Sequence, residues 1–173
     1  IARLLIGEQE IFFNGSDLRE PGFIVETLRK NGKVPVARNR NPIVIEKCLI
    51  FIDEVHAIGR NVETALLSAL DDARITSIDQ KTYDFGNVIF VLATTDPGKL
   101  SEAFNSRPDK TWLPPYTLDE LAGIVWHHGK QCLDRFDLSR AACLEVAARM
   151  RCNPRRAVRS VRDALRPYFL RKI

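Results

Sequence analysis

Two adjacent carboxylates follow a short apolar run in LIFIDEVH, residues 49–56. The run does not alternate, which is typical of a strand covered on both faces of a parallel sheet. Ligands of such sheets bind at the carboxyl ends of the strands. We therefore predict that Asp53 holds a magnesium ion, directly or through water, and that Glu54 polarises a water for attack on a γ-phosphate. An acidic pair that caps a helix is the alternative, but it needs no apolar strand before it.

Two hydroxyl side chains follow a second apolar run, NVIFVLA at residues 87–93. These are Thr94 and Thr95, and a helix predicted at 61–72 separates the two runs. If the two strands are neighbours, a threonine hydroxyl lies beside the same crevice, where it can orient the attacking water or contact the γ-phosphate. A Thr-Thr pair before a turn is a weak signal alone. The pairing of the two strand ends makes it a candidate site.

The elements around these motifs have an α/β order. A strand is predicted at EIFFN, residues 10–14, and a short helix at 21–31 begins with Pro21. Strand-like residues at 73–85 surround a polar turn, which indicates an inserted hairpin. Residues 1–6 are interpreted as the end of an amphipathic helix. The expected fold of residues 1–114 is an α/β core with a three-layer arrangement around a parallel sheet.

After Pro114 and Pro115 the pattern becomes purely helical, which predicts a small all-helical domain at 115–173. Each of three helices has a residue suited to begin it. The predicted starts are Thr117 with Glu120 as a capping box, Asp137 or Ser139, and Asn153 with Pro154. The predicted core faces are Leu118, Leu121, Ala122 and Val125, then Cys143, Val146, Ala147 and Met150, then Val158, Val161, Leu165 and Tyr168.

Charge is unevenly distributed along the chain. The net charge is +4, but eight bases and one acid fall in residues 151–173, which makes that end +7 and the remainder −3. Arginines at four positions line one face of the last predicted helix: Arg155, Arg159, Arg162 and Arg166. We expect an anionic partner near this end, with a solvated basic helix face as the alternative. A Pro- and base-containing loop at 33–42 is expected to be solvated, with contact to nucleic-acid phosphates as its alternative.

The composition limits the classes of protein to which the chain can belong. At 173 residues, 45% hydrophobic and 28% charged, a disordered tail or a fibrous repeat is excluded. The four cysteines lack CxxC spacing, so a reducing, cytoplasmic compartment is expected and a metal site on them is not. No run approaches the roughly 20 apolar residues of a membrane span. Because the chain opens at Ile1 and its only methionine is Met150, we expect a fragment.

These motifs resemble those of the AAA+ ATPases, and within them the branch-migration motors of DNA recombination. The likeness covers nearly the whole chain and is carried by LIFIDEVHAIG, LATTDPGKL with FNSRPD, and LEVAARMRCNPRRAVRSVRDAL. The last stretch is the most diagnostic. A competing likeness, LLSALDDARITSIDQKTYDFGNVIF, resembles the Clp-type protein unfoldases.

The resemblance implies roles by position. It implies that Asp53 and Glu54 are the Walker B pair, Thr95 the sensor of the γ-phosphate, and Arg107 the arginine finger that acts on ATP of a neighbouring subunit. Pro108 and Asp109 stand where these motors usually have Phe and Gly, which puts the aim of Arg107 in question. In the helical domain the resemblance implies that Arg155 is the second sensor and that Tyr116 lines the nucleotide site.

Three further residues carry weaker signals. His56 follows the Walker B pair and is expected to pack, with a relay of nucleotide state as the alternative. Asp71 and Asp72 fall near an acidic segment that contacts nucleotide in the family, but acids at helix ends are too common to count.

The family implies ATP and magnesium, a homo-oligomer expected to be a hexameric ring, and a motor that acts on branched DNA in recombination and repair, with a possible adaptor protein. The alternatives are a Clp-type unfoldase and a non-hydrolysing, clamp-loader-like scaffold. The phosphate-binding GxxxxGK[ST] loop does not occur in residues 1–173. In the family this loop precedes a helix that would end like IARLLIG. We therefore expect a core that begins just after the loop and is inactive alone, with a degenerate ATPase as the alternative.

Overall fold

The computed structural model describes residues 10–35, 42–76, 80–132, 138–151 and 153–170. At residues 131, 132, 165 and 167–170 the description covers the backbone alone. The predicted opening helix at 1–6 and most of the basic loop at 33–42 lie outside these residues. The chain divides into two compact units, residues 1–110 and 111–173.

The first unit contains both strands and helices, and the second unit is helical. The strands are β1 (Glu10–Asn14), β2 (Ile43–Val44), β3 (Cys48–Asp53), β4 (Arg74–Thr76), β5 (Thr82–Asp84) and β6 (Val88–Leu92). The helices are α1 (Pro21–Lys30), α2 (Arg60–Asp72), α3 (Glu102–Asn105), α4 (Leu118–Cys132), α5 (Arg140–Arg149) and α6 (Pro154–Leu170). None of the helices within the described residues has the length and apolarity that a bilayer crossing requires.

The central sheet of the first unit is parallel and has the order β1-β3-β6. Asn14 lies opposite Asp53 in the first pair of strands, and Ile52 opposite Leu92 in the second. The carboxyl ends of all three strands therefore meet at one edge of the sheet. The prediction that the carboxylate motif and the threonine motif follow neighbouring strands is confirmed.

The two faces of this sheet differ in burial. Ile11, Phe13, Ile50 and Ile52 are buried in the core that the sheet shares with α1 and α2. On the opposite face, β3 is buried at Leu49, but Phe12 of β1 is 59% exposed and Ile89 of β6 is 49% exposed. Coverage of both faces was expected for both apolar runs, and among the described residues it holds only for the first half of β3, where Cys48, Leu49 and Ile50 are buried. Within the part of the chain that the structure describes, β1 and β6 each pair with β3 alone in this sheet, which leaves their outer positions more open.

The predicted insertion between α2 and β6 is a hairpin. Strands β4 and β5 pair antiparallel, which confirms the prediction, and β2 adds to β5 in parallel. The two-residue strand β2 was not predicted because so short a segment shows no periodicity. Residues 77–79 of the expected polar turn lie outside the described residues.

The second unit begins its helices where the sequence predicted. Glu120 accepts the Thr117 backbone N–H at 2.8 Å while Thr117 Oγ1 accepts the Glu120 N–H at 3.2 Å, so the capping box is formed. Ser139 and Asn153 cap α5 and α6 by accepting the backbone N–H groups of Ala142 and Arg156.

Two residues predicted to face the core of the second unit, Leu118 and Val158, are not fully buried. The buried residues are Leu121, Ala122, Val125, Cys143, Ala147, Ala157 and Val161. Leu118, predicted to face the core, is 42% exposed because it lies in the first turn of α4. Val158 is half-buried while Ala157, one residue earlier, is fully buried, so the core face of α6 is rotated from the predicted one.

Replacement of the cap of α5 tests this helical unit. Ser139→Ala removes the acceptor for the Ala142 N–H and is expected to lower the free energy of unfolding by about 1 kcal/mol. Ser139→Asn keeps an acceptor at the same place and is the matched control. Urea unfolding followed by circular dichroism measures both. Equal losses for the two variants would contradict the assigned cap.

Candidate active site

The turn after β3 aims its two carboxylates differently. Asp53 ends the strand, and its Oδ1 accepts the Glu54 backbone N–H at 3.0 Å. Glu54 has φ 51° and ψ 47°, a left-handed conformation that costs a residue other than glycine roughly 1–2 kcal/mol. This conformation breaks the alternation of the strand at Glu54. The two carboxylates therefore leave the strand end in different directions, as their proposed separate roles require.

Contacts with both neighbouring strand ends hold this turn. Val55 donates its backbone N–H to the Ala93 carbonyl at 2.9 Å, and Ala93 donates to the Ile52 carbonyl at 2.9 Å. On the other side, Gly15 lies directly after β1 and against the Glu54 carbonyl. A Cβ atom at position 15 would be 2.2 Å from the Glu54 carbonyl oxygen. Only glycine fits this approach, a role that sequence analysis did not assign because a lone glycine after a strand indicates a turn equally well.

Substitution of Gly15 tests the close approach. Gly15→Ala places a methyl group against the Glu54 carbonyl, so the strand ends must separate, and we expect a loss of about 1–3 kcal/mol in the free energy of unfolding. Gly22→Ala is the matched control because no atom outside its chain neighbours and its own helix backbone lies within 4 Å of the added Cβ. It should be neutral or stabilising, since alanine favours helix α1. Urea midpoints for the two variants that coincide would contradict the packing described.

The threonine of the neighbouring strand reaches the second carboxylate. Thr95 Oγ1 donates a hydrogen bond to Glu54 Oε2 at 2.9 Å, across a sequence separation of 41 residues. The hydroxyl and carboxylate were each proposed from sequence to face the same crevice. The structure brings Glu54 and Thr95 into direct contact, with Asp53 on the backbone position immediately before Glu54.

A histidine completes this polar cluster. His56 Nδ1 lies 2.8 Å from Thr94 Oγ1 and 3.3 Å from Glu54 Oε2, and the His56 side chain is 15% exposed. Thr94 Oγ1 also accepts the Asp96 backbone N–H at 3.0 Å. Sequence analysis expected His56 to pack, with a relay of nucleotide state as the alternative. The structure instead gives it polar partners on both strand ends, which sequence spacing could not reveal because Thr94 is distant in the chain.

The loop after β6 carries an ion pair at its outer side. Lys99 Nζ lies 2.9 Å from Asp96 Oδ2. This hydrogen bond from the ammonium group holds the pKa of the Asp96 carboxyl below its usual range. Asp96 therefore stays ionised beside the threonines through the neutral pH range.

Arg107 follows α3 and is bound within the same chain. Its Nε lies 3.0 Å from Asp71 Oδ1, and its second guanidinium nitrogen, Nη2, donates to Asp71 Oδ2 at 3.1 Å, a bidentate pair. Nη1 donates to the Ala103 carbonyl at 2.8 Å. The hydrogen bond with Asp71 raises the pKa of the guanidinium further above its ordinary value. Asp71 was set aside in the sequence because acids at helix ends are common, and no local signal distinguishes it.

The donor set suits magnesium with phosphate. The described residues contain no group of three or more His, Cys, Asp or Glu side chains placed to hold a metal. Magnesium in nucleotide sites is held by one or two carboxylates, with phosphate oxygens and water completing its shell. Asp53, whose Oδ1 is engaged by one backbone N–H, offers a carboxylate that fits this kind of site.

Tyr116 and Arg155 belong to the second unit. Tyr116 precedes α4 and is 47% exposed, while Arg155 is an exposed residue in the first turn of α6. Both side chains are therefore open to a ligand. Their predicted contact with nucleotide stays a prediction.

Comparison with known proteins assigns a family. Residues 1–116 match the family described as "ATPase family associated with various cellular activities (AAA)". Among curated proteins, the Holliday junction branch migration complex subunit RuvB of Synechococcus sp. (strain WH7803) is 37% identical over 128 residues, covering 68% of this chain and 34% of that protein. RuvB of Chlamydia abortus is 34% identical over 125 residues, or 66% of this chain and 37% of that protein.

Solved structures of RuvB match a larger share of this chain than the curated relatives do. The Thermotoga maritima RuvB Holliday junction branch migration motor aligns with TM-score 0.67 and 28% identity, covering 92% of this chain and 47% of that one. A point mutant of the same protein aligns with TM-score 0.70. The chain thus spans about a third of the curated relatives and about half of the structural ones.

Proposed function

The chain belongs to the AAA family of ATPases, and on that premise we propose that it forms the ATPase core and helical lid of a DNA motor similar to RuvB. The observation that carries the proposal is the hydrogen bond between Glu54 Oε2 and Thr95 Oγ1 at the carboxyl edge of a parallel sheet. A base and a hydroxyl in contact at this edge suit the activation of water beside a bound triphosphate. The relatives named above are RuvB proteins, so the unfoldase alternative is not retained.

In this proposal each site residue of the first unit has a separate chemical role. Glu54 accepts the proton of the water that attacks the γ-phosphate. The single hydroxyl hydrogen of Thr95 is donated to Glu54 in this structure and is proposed to turn to a γ-phosphate oxygen when ATP is bound. Asp53 holds a magnesium ion, whose contribution when bound is to neutralise charge on the phosphate oxygens. ATP and Mg²⁺ are the proposed ligands. Since residues 1–173 contain no phosphate-binding loop motif, we infer that this stretch hydrolyses ATP only as part of a protein that supplies one.

Arg107 is proposed to act on ATP held by the next subunit of a ring. A guanidinium that approaches the transferring phosphoryl group neutralises charge that develops in the transition state. Within its own chain the Arg107 guanidinium is bound by Asp71. When it enters the neighbouring site, it exchanges the Asp71 carboxylate for the phosphate oxygens of ATP. Oligomer formation is therefore part of the mechanism, with a hexamer as the expected ring.

Residues 115–173 are proposed to couple the nucleotide to movement. Arg155 reaches the phosphates and Tyr116 lines the nucleotide site, so the position of the helical lid follows the state of the nucleotide. Translocation along branched DNA, and a partner that delivers the ring to it, complete the proposal. These two parts rest on the likeness to the RuvB relatives.

Removal of the base tests the first part of the proposal. Glu54→Gln in the full-length protein should retain ATP binding and lower turnover by about 10²–10⁴-fold, because the amide cannot accept the proton. Glu20→Gln, at an exposed residue without a side-chain capping bond, is the matched control and should turn over normally. Phosphate release and nucleotide affinity are measured together. Normal turnover in Glu54→Gln would remove the proposed base.

The arginine finger is tested by mixing subunits. Arg107→Ala alone should lower turnover by at least about 10³-fold. Mixed with Glu54→Gln subunits, it should regain part of the activity, because some interfaces then combine an intact Glu54 site with an intact Arg107. Arg60→Ala, at an exposed residue on α2, is the control for loss of a surface charge. Mixtures that never recover activity would contradict action in trans.

A further inference from the structure

Two polar side chains approach a single oxygen of Glu54, and one of them, Thr95, donates a hydrogen bond to it. Thr95 Oγ1 lies 2.9 Å and His56 Nδ1 3.3 Å from Oε2. No hydrogen bond to Oε1 is made by any other residue that the structure describes. The carboxylate is therefore oriented by one oxygen and leaves the other for a water molecule.

The surroundings of His56 determine where its proton lies. Nδ1 faces two oxygens, Thr94 Oγ1 at 2.8 Å and the Glu54 carboxylate. A bare Nδ1 would place its lone pair near an anionic oxygen, whereas an Nδ1–H donates to Thr94 Oγ1 and turns a positive hydrogen toward the Glu54 side. This assignment of the tautomer follows from the partners of the ring. Thr94 Oγ1 then accepts from both His56 and the Asp96 backbone N–H.

His56 connects the loop that follows β3 with the loop that follows β6. The residue lies in a tight turn, Val55–Ala57, directly after the carboxylate pair, and its side chain is 15% exposed. Through Thr94 it joins the loop that follows β3 to the loop that follows β6, beside the separate bond from Thr95. Thr95 thus holds the carboxylate by a direct hydrogen bond, while Thr94 holds the histidine ring that lies beside the carboxylate.

We propose that His56 is a positioning residue for the general base: its ring, anchored by the hydrogen bond between Nδ1 and Thr94 Oγ1, lies against Glu54 Oε2 and fixes the orientation in which Oε1 meets the attacking water. The proposal rests on the proposed function, because it takes Glu54 as the base. His56 touches neither the water nor the nucleotide. Its loss should therefore lower kcat, by about 10-fold to 10²-fold for a misplaced base, and leave KM for ATP unchanged.

The decisive experiment compares two substitutions of His56 in the full-length protein with ATP and Mg²⁺. His56→Leu removes the donor, whereas His56→Asn places an amide N–H close to the position of Nδ1. We expect the large loss of kcat in His56→Leu, with most of it restored in His56→Asn and the same KM and nucleotide affinity in both. His127→Leu makes the same change at an exposed histidine of α4 and should not alter kcat.

A second variant keeps the test informative if His56→Leu fails to fold. Thr94→Val removes the hydrogen-bond partner of His56 Nδ1, and its kcat loss should not add to that of a His56 variant because both act through one contact. Equal loss in His56→Leu and His56→Asn, an effect on KM alone, or additive losses with Thr94→Val would overturn the proposal. Glu54→Gln is measured in parallel. If it turns over normally the proposed function fails, whereas an inactive Glu54→Gln beside a normal His56→Leu defeats only the role of His56.

Discussion

The backbone pairing between the ends of β3 and β6 is the constraint on which the candidate site depends. Ala93 donates to the Ile52 carbonyl and accepts from the Val55 N–H, which extends the parallel ladder past both strands. Without that extension, Glu54 and Thr95 would have no fixed separation. Gly15 closes the same turn from the other side by admitting the Glu54 carbonyl where a Cβ atom cannot fit. The left-handed conformation of Glu54 is held between these two contacts.

The proposed site has two parts: a polar cluster that stays within one subunit, and an arginine that changes its partner. His56, Thr94, Thr95 and Glu54 are joined by short hydrogen bonds that involve no second subunit. Arg107 is joined to Asp71 by a bidentate pair on the surface of the same unit. In the proposed ring, the first group stays with its own nucleotide while Arg107 leaves Asp71 for the next one. The ion pair with Asp71 thus fixes the position of Arg107 within its own chain.

The parts of the fold with a local signal could be predicted from sequence. The apolar runs gave β3 and β6, and side-chain oxygens at Thr117, Ser139 and Asn153 marked helix starts, because caps act on amides only two or three residues away. Contacts between distant segments carried no such signal. The pairing of Asp71 with Arg107 and the bridge from His56 to Thr94 depend on how elements meet. The exposure of Phe12 on β1 and Ile89 on β6 likewise depends on which elements pack beside these strands.

The central claim is that a metal-bound triphosphate occupies the edge where Asp53, Glu54 and Thr95 lie. The most direct measurement is a structure of the full-length protein with a non-hydrolysable ATP analogue and Mg²⁺. The account predicts the metal beside Asp53, directly or through one water, with Thr95 Oγ1 at the γ-phosphate and a water between that phosphate and Glu54. A nucleotide bound away from this edge, or a γ-phosphate that meets neither Asp53 through its metal nor Thr95, would contradict it.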